Sequence, residues 1–168
     1  EKIQKNFEFA TVAVCGLGGL GSNIAFALAR AGIGKLILID FDNVDITNLH
    51  RQQYKASQIG MNKTQALKEN LFEIAPYAAI TTHSVRISED NAEALLENAD
   101  VICEAFDDAE SKAMLAILCL KKCLKSIWSP HRAWQDLAVP MILRRAEYQN
   151  DFIYAVTERV MCNQKAVL

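Results

Sequence analysis

The segment Gly16-Leu17-Gly18-Gly19-Leu20-Gly21-Ser22 constrains this chain more than any other part of it. It satisfies G-x-G-x-x-G and follows Thr11–Cys15 (TVAVC), a β-branched apolar run that reads as a buried parallel strand. Beyond it, apolar residues at 24, 26, 28 and 29 with small ones between them predict a helix over Ser22–Ala31, closed by Gly32 and Gly34. In such a loop the first glycine permits the tight turn and the second lets backbone approach a phosphate. The third lets the helix pack against the strand, so that its free N–H groups and dipole face the anion. Asp40 follows Gly21 by roughly 20 residues, where a carboxylate accepts hydrogen bonds from ribose hydroxyls. The pattern predicts a nucleotide site, and an acid at 40 argues against a 2′-phosphate.

The remaining periodicity extends this unit. Lys35–Phe41 reads as a second buried strand, Asn62–Ala75 as an amphipathic helix stopped by Pro76, and Ala79–Val85 as a weaker strand. Ser88 is expected to cap a helix over Glu89–Asn98, Asp100–Ala105 to form a fourth strand, and Asp108 onward to be helical. Strands alternating with helices imply crossover units, hence a Rossmann-like, doubly wound α/β domain with a mainly parallel sheet.

Composition narrows the function. At 168 residues with net charge −2, the chain holds one domain with a real core and lacks the basic footprint of a nucleic-acid binder. No apolar run approaches the roughly 20 residues that cross a bilayer, so neither nucleic acid nor membrane is an expected partner. A first residue of Glu reads as a trimmed N-terminus, and five cysteines without a CxxC pair fit reduced thiols in a cytoplasmic setting.

The residues after Asp40 are not those of a usual dehydrogenase. Arg51, and Lys63 at the start of the next helix, are two cations able to reach the phosphate side, which suits a triphosphate. An ion pair of Arg51 with Asp42 or Asp45, and a solvated Lys63, are the plainer alternatives.

The glycine loop, the run Asp40-Phe41-Asp42-Asn43-Val44-Asp45-Ile46-Thr47-Asn48-Leu49-His50-Arg51-Gln52 and the downstream Lys63 resemble the ThiF/MoeB/ubiquitin-activating superfamily, and within it most the short ThiF type. The resemblance implies an ATP-dependent adenylyltransferase. A ubiquitin-like sulfur carrier, ThiS-like and serving thiamine biosynthesis, would be activated at its C-terminal glycine as an acyl-adenylate. It implies Gly16, Gly18, Gly19, Gly21 and Ser22 at the nucleotide, Asp40 and Asp42 beside it, and Asn48, Arg51, Gln52 and Lys63 on the phosphates. Arg51, Lys63 and Asp107 would carry catalysis, with Asp107 holding Mg²⁺, and a homodimer is a further implied partner. Asp108 departs from the family's Asp-Asn, and its plainer role, or that of Ser111, is to cap the next helix. The competing expectations are an NAD-dependent oxidoreductase and a non-catalytic nucleotide- or carrier-binding module.

Three family features are missing: paired CxxC motifs, so no zinc is expected, a later catalytic cysteine, and an arginine ahead of the first strand. The resemblance ends near residue 115. All seven glycines lie in the first 60 residues, and both tryptophans lie in the glycine-free remainder. Back-translation offers a cause: in one shifted frame, Trp128–Asp136 permits V-(A/S)-(A/T)-S-G-M-A-G and Phe152–Glu158 permits F-Y-I-C-G-D-G, both family-like. The expected division is therefore a ThiF-type unit over 1–115 and a tail over 116–168, irregular or non-native, out of frame after a single-base shift near Leu115–Leu118. His131, Arg132, Arg144 and Arg145 are then not a functional basic patch.

Overall fold

Side chains of Thr11–Cys15 (β1) and Lys35–Ile39 (β2) alternate between two sheet faces, and both faces are apolar. The computed structural model describes residues 7–127, 144–148 and 151–157. Ala79–His83 (β3) and Val101–Glu104 (β4) complete a parallel set in the order β3-β2-β1-β4. Register runs Val12↔Leu36 and Val14↔Leu38 on one side of β1, and Val12↔Val101 and Cys15↔Glu104 on the other.

Helices cover both faces. Gly19–Ala31 (α1) and Lys63–Ile74 (α2) bury Ala25, Ala29, Leu67 and Leu71 against Val12, Val14, Leu36 and Leu38. On the opposite face, Leu96 of Ala92–Leu96 (α3) and Leu115 of Ala109–Ile127 (α4) pack on Ala13, Cys15, Ile37 and Ile39. Each fully buried leucine contributes roughly 1.5–3 kcal/mol, as an upper estimate. The doubly wound prediction is met, and the direction of winding reverses between β1 and β4.

Several boundaries differ from expectation: α1 begins at Gly19 rather than Ser22 and β3 ends at His83 rather than Val85, and two further differences have a visible cause. The helix expected over Glu89–Asn98 is only Ala92–Leu96, and Ser88 does not cap it with its hydroxyl. Instead the Ser88 carbonyl accepts from Asn91 and Ala92 N–H at 3.3 and 3.0 Å, and Asn91 Oδ1 accepts from Ser88 N–H at 2.9 Å. Ile87 and Ala99, both buried, hold the ends of this segment to the same core and limit its helical length. β2 ends at Ile39; the Asp40 amide still donates to His83 O at 3.3 Å, and past it the Asp40 carboxylate turns the chain by accepting from Asp42 N–H at 2.8 Å. Within the tail, expected to be irregular, the described residues Arg144–Tyr148 (β5) and Asp151–Thr157 (β6) pair antiparallel, with β6 beside β4. His131 and Arg132 lie outside the described residues.

Candidate functional site: a phosphate loop covered by the β2–α2 connection

The site lies at the carboxyl ends of β1, β2 and β4, where the winding reverses and open α/β sheets bind ligands. The Gly16 amide donates to Ile39 O at 2.9 Å, and the Ala105 amide to Cys15 O at 2.8 Å, which fixes the loop between its two neighbours. Gly16 has φ +90°, and a Cβ there would lie 2.7 Å from Ala105 O, so only glycine fits. A Cβ on Gly21 would come within 1.8 Å of Gly16 O. That contact shows the third glycine bringing α1 against the loop. No side chain caps α1 at Gly18, so the N–H groups of its first turn are left for an anion.

Asp40 is buried and ties the two halves together. One carboxylate oxygen accepts from Leu17 N–H at 2.6 Å and the other from Asp42 N–H at 2.8 Å. Burial raises its pKa above the ordinary carboxylate value, opposed by those two amides and by the Lys63 cation. A carboxylate so held keeps further lone pairs for ribose hydroxyls.

The 40–62 connection turns back over the loop. Two short 3-10 turns, Ile46–Asn48 and Ala56–Gln58, shape it, and the Asp45 carboxylate caps the first by accepting from Thr47 N–H at 2.7 Å. The Asn48 carbonyl accepts from Arg51 and Gln52 N–H, both at 3.2 Å, and returns these residues to the glycines. The Arg51 side chain lies over Gly19, with Cγ and Cδ 3.6 Å from where a Cβ would stand; Gln52 Nε2 lies 3.9 Å from that point on Gly18. Gln52 is buried and its Oε1 has no hydrogen-bond partner among the described residues. Neither of the Arg51 ion pairs expected as the plainer alternative is present among the described residues: Asp45 is occupied with Thr47 and Asp42 with Lys63.

Lys63 is buried, and its ammonium lies 2.7 Å from Asp42 Oδ2. The expected phosphate cation thus stands near Asp40 with Asp42 as its counter-ion. Ser22 is also fully buried: its hydroxyl donates to Gly18 O at 2.6 Å and accepts from Gln53 N–H at 3.2 Å, which places it behind the loop. After β4, Asp108 accepts from Ser111 N–H at 2.7 Å and caps α4, a bond that lowers its pKa. Asp107 is exposed and takes no part in that cap.

Sequence reasoning missed the residues that fasten the connection. Tyr54 donates its hydroxyl to Leu17 O at 2.7 Å, and Gln53 Nε2 donates to Asn23 Oδ1 at 2.7 Å. Asn23 also donates to Arg51 O at 3.2 Å. A tyrosine in an otherwise polar run, here buried, was the one signal in the sequence. Arg86, placed 4.1 Å over the Phe41 ring, was not anticipated either.

A Rossmann-like fold with a glycine loop between β1 and α1, a buried acid after β2 and an arginine over the loop is the arrangement of a nucleotide-binding class. The ThiF family model matches residues 1–157, and the chain belongs to that family. It is 36% identical over 126 residues to the adenylyltransferase and sulfurtransferase MOCS3 of Aedes aegypti, covering 73% of this chain and 29% of that protein. It is also 36% identical over 137 residues to ubiquitin-like modifier-activating enzyme 5 of Drosophila persimilis, covering 73% of this chain and 36% of the relative. Among solved structures, E. coli tRNA N6-threonylcarbamoyladenosine dehydratase, TcdA, in complex with ATP aligns with TM-score 0.70 and 33% identity, over 73% of this chain and 51% of that one. E. coli MccB with MccA-N7isoASN aligns at 0.65 and 28%, over 74% and 35%. The chain therefore spans about a third of these curated relatives and between 35% and 51% of the solved chains.

Proposed function

We propose that this chain is an ATP-dependent adenylyltransferase that activates the C-terminal carboxylate of a ubiquitin-like carrier protein. The observation that carries this reading is the placement of Arg51 and Gln52 over Gly19 and Gly18, with Arg51 unpaired by any described carboxylate. A cation and an amide above a helix N-terminus suit a triphosphate better than the pyrophosphate of a dinucleotide. The ATP complex of TcdA supports the nucleotide, and the MccB structure containing MccA-N7isoASN supports a second ligand besides it.

In this reading α1 and Arg51 bind the phosphates, Asp40 holds the ribose, and a carrier carboxylate oxygen bonds to the α-phosphorus as its bond to the β-phosphate bridge breaks. Pyrophosphate leaves with the electron pair. The nucleophile is already ionised, so positioning and charge neutralisation supply the rate. Mg²⁺ would be held by Asp107 together with phosphate oxygens and water. Asp107 is exposed after β4 and the α4 cap is made by Asp108 instead, so the Asp107 carboxylate fits that role. The ion would neutralise charge on the leaving pyrophosphate.

ATP–pyrophosphate exchange in the presence of Mg²⁺ and a carrier tests the proposal. Carriers of the ThiS type, the finer reading taken from sequence, belong in the same panel as those served by the MOCS3 and activating-enzyme-5 relatives. Arg51→Ala should weaken ATP binding far more than NAD binding; equal losses would remove the argument for a triphosphate. Raised thermal stability with NAD but not ATP would favour an oxidoreductase instead. We propose also that the tail past residue 115 arises from a frameshift. Sequencing the coding DNA around Leu115 decides this, and a continuous frame encoding these residues would refute it.

A further inference from the structure

Phe41 and Arg86 have no task in the reading above, yet both stand at the edge of the site. Phe41 directly follows the ribose acid and is 48% exposed, and the Arg86 guanidinium carbon lies 4.1 Å from its ring centroid. Their position follows from the path of the chain. Phosphates on the N-terminus of α1 and a ribose on Asp40 define a line along the carboxyl ends of β1 and β2, and a nucleobase continues beyond Asp40, away from the phosphates. On that side the next residue in sequence is Phe41. The nearest segment in space is the end of β3, because the Asp40 amide donates to His83 O at 3.3 Å. Arg86 stands three residues past His83, the last residue of β3. Its side chain therefore reaches from the end of β3 to the ring of Phe41 at the edge of the crevice.

We propose that Arg86 is the nucleobase-stacking residue of this site, with one face of its guanidinium on Phe41 and the other on the base of the bound nucleotide. This rests on the nucleotide reading and adds to it the residue that grips the base. A planar, delocalised guanidinium stacks on aromatic faces, whereas an ammonium of equal charge has no plane to offer. Phe41 keeps that plane fixed at the edge of the crevice, so less side-chain freedom is lost when a base arrives. Stacking engages the π-face common to all bases, so Arg86 adds affinity for nucleotides without selecting strongly among purines.

The test is isothermal titration of the intact chain, with Mg²⁺ present, using ATP and inorganic tripolyphosphate as paired probes. Arg86→Ala should weaken ATP binding about tenfold and leave tripolyphosphate binding unchanged, because only ATP carries a base. Arg86→Lys, which keeps the charge and loses the plane, should behave like the alanine variant. Phe41→Leu should shift ATP affinity in the same direction by a smaller factor. Unchanged ATP affinity in Arg86→Ala overturns the proposal, and so does full rescue by Arg86→Lys. A proportional loss of tripolyphosphate would make Arg86 a phosphate contact and equally refute base stacking. These failures leave wild-type ATP binding intact, whereas a wild-type chain that binds neither probe defeats the nucleotide reading itself and this inference with it.

Discussion

Replacing Gly21 by alanine isolates the contact that builds the phosphate loop. The added Cβ would stand 1.8 Å from Gly16 O and 3.2 Å from Ala105 Cβ. The first neighbour is backbone in a turn already fixed by Gly16 N–H to Ile39 O, so no side-chain rotation relieves it. To restore an ordinary carbon–oxygen contact, α1 and the loop must separate by more than ~1 Å, in a region with little void to absorb the shift. Overpacking of this kind costs about 1–3 kcal/mol, and the intrinsic helix preference of alanine returns about 1 kcal/mol. A backbone clash sits at the upper end, so a net loss of about 2 kcal/mol is expected, or about 4–8 °C in Tm for a chain of this size. ATP affinity should fall with it, since the first turn of α1 retreats from the phosphates. Thermal unfolding followed by circular dichroism, with ATP titration on the folded variant, measures both. Gly18→Ala is the matched control, because its Cβ meets only Gln52 Nε2 at 3.9 Å. If Gly21→Ala and Gly18→Ala melt within a degree of each other, the close approach of α1 to Gly16 is not what makes glycine necessary.

Tyr54→Phe removes the hydroxyl that donates to Leu17 O and should lower unfolding free energy in denaturant by about 1 kcal/mol, with no change in the slope of the transition. Asp40 has a raised pKa in the folded chain, so its ionisation opposes folding: the wild type should lose stability relative to Asp40→Asn as pH rises from about 4 through the raised value. A difference in stability that is flat from pH 4 to 7 would show that the carboxyl is not desolvated. Burial pushes the Cys103 thiol up to about 11 and Cys15 further in the same direction, so brief alkylation of the native chain at pH 8 should leave both unlabelled in peptide mapping.

Much of the fold was legible because its signals are local. β1 occupies Thr11–Cys15 as predicted, and α2 runs from Lys63 to Ile74, within one residue of the expected span at each end. The misjudged α3 shows the limit: acids after Ser88 look like a helix start, but the anchoring of Ile87 and Ala99 in one core shortens the helix. Asp108 was correctly seen as a capping candidate, since a carboxylate three residues before Ser111 is a local pattern.

By itself the sequence determined the strand–loop–helix unit, its glycines and the acid after β2, because spacing alone dictates which backbone can approach a phosphate. Tertiary structure alone decided which side chains meet over that loop. The 40–62 connection has no periodicity, and its path depends on bonds between distant residues, Tyr54 to Leu17, Gln53 to Asn23 and Lys63 to Asp42. The same holds for Arg86 over Phe41, brought together only because β3 pairs beside β2. Contacts that close across tens of residues are fixed by packing and sheet order, and no short window of sequence contains them.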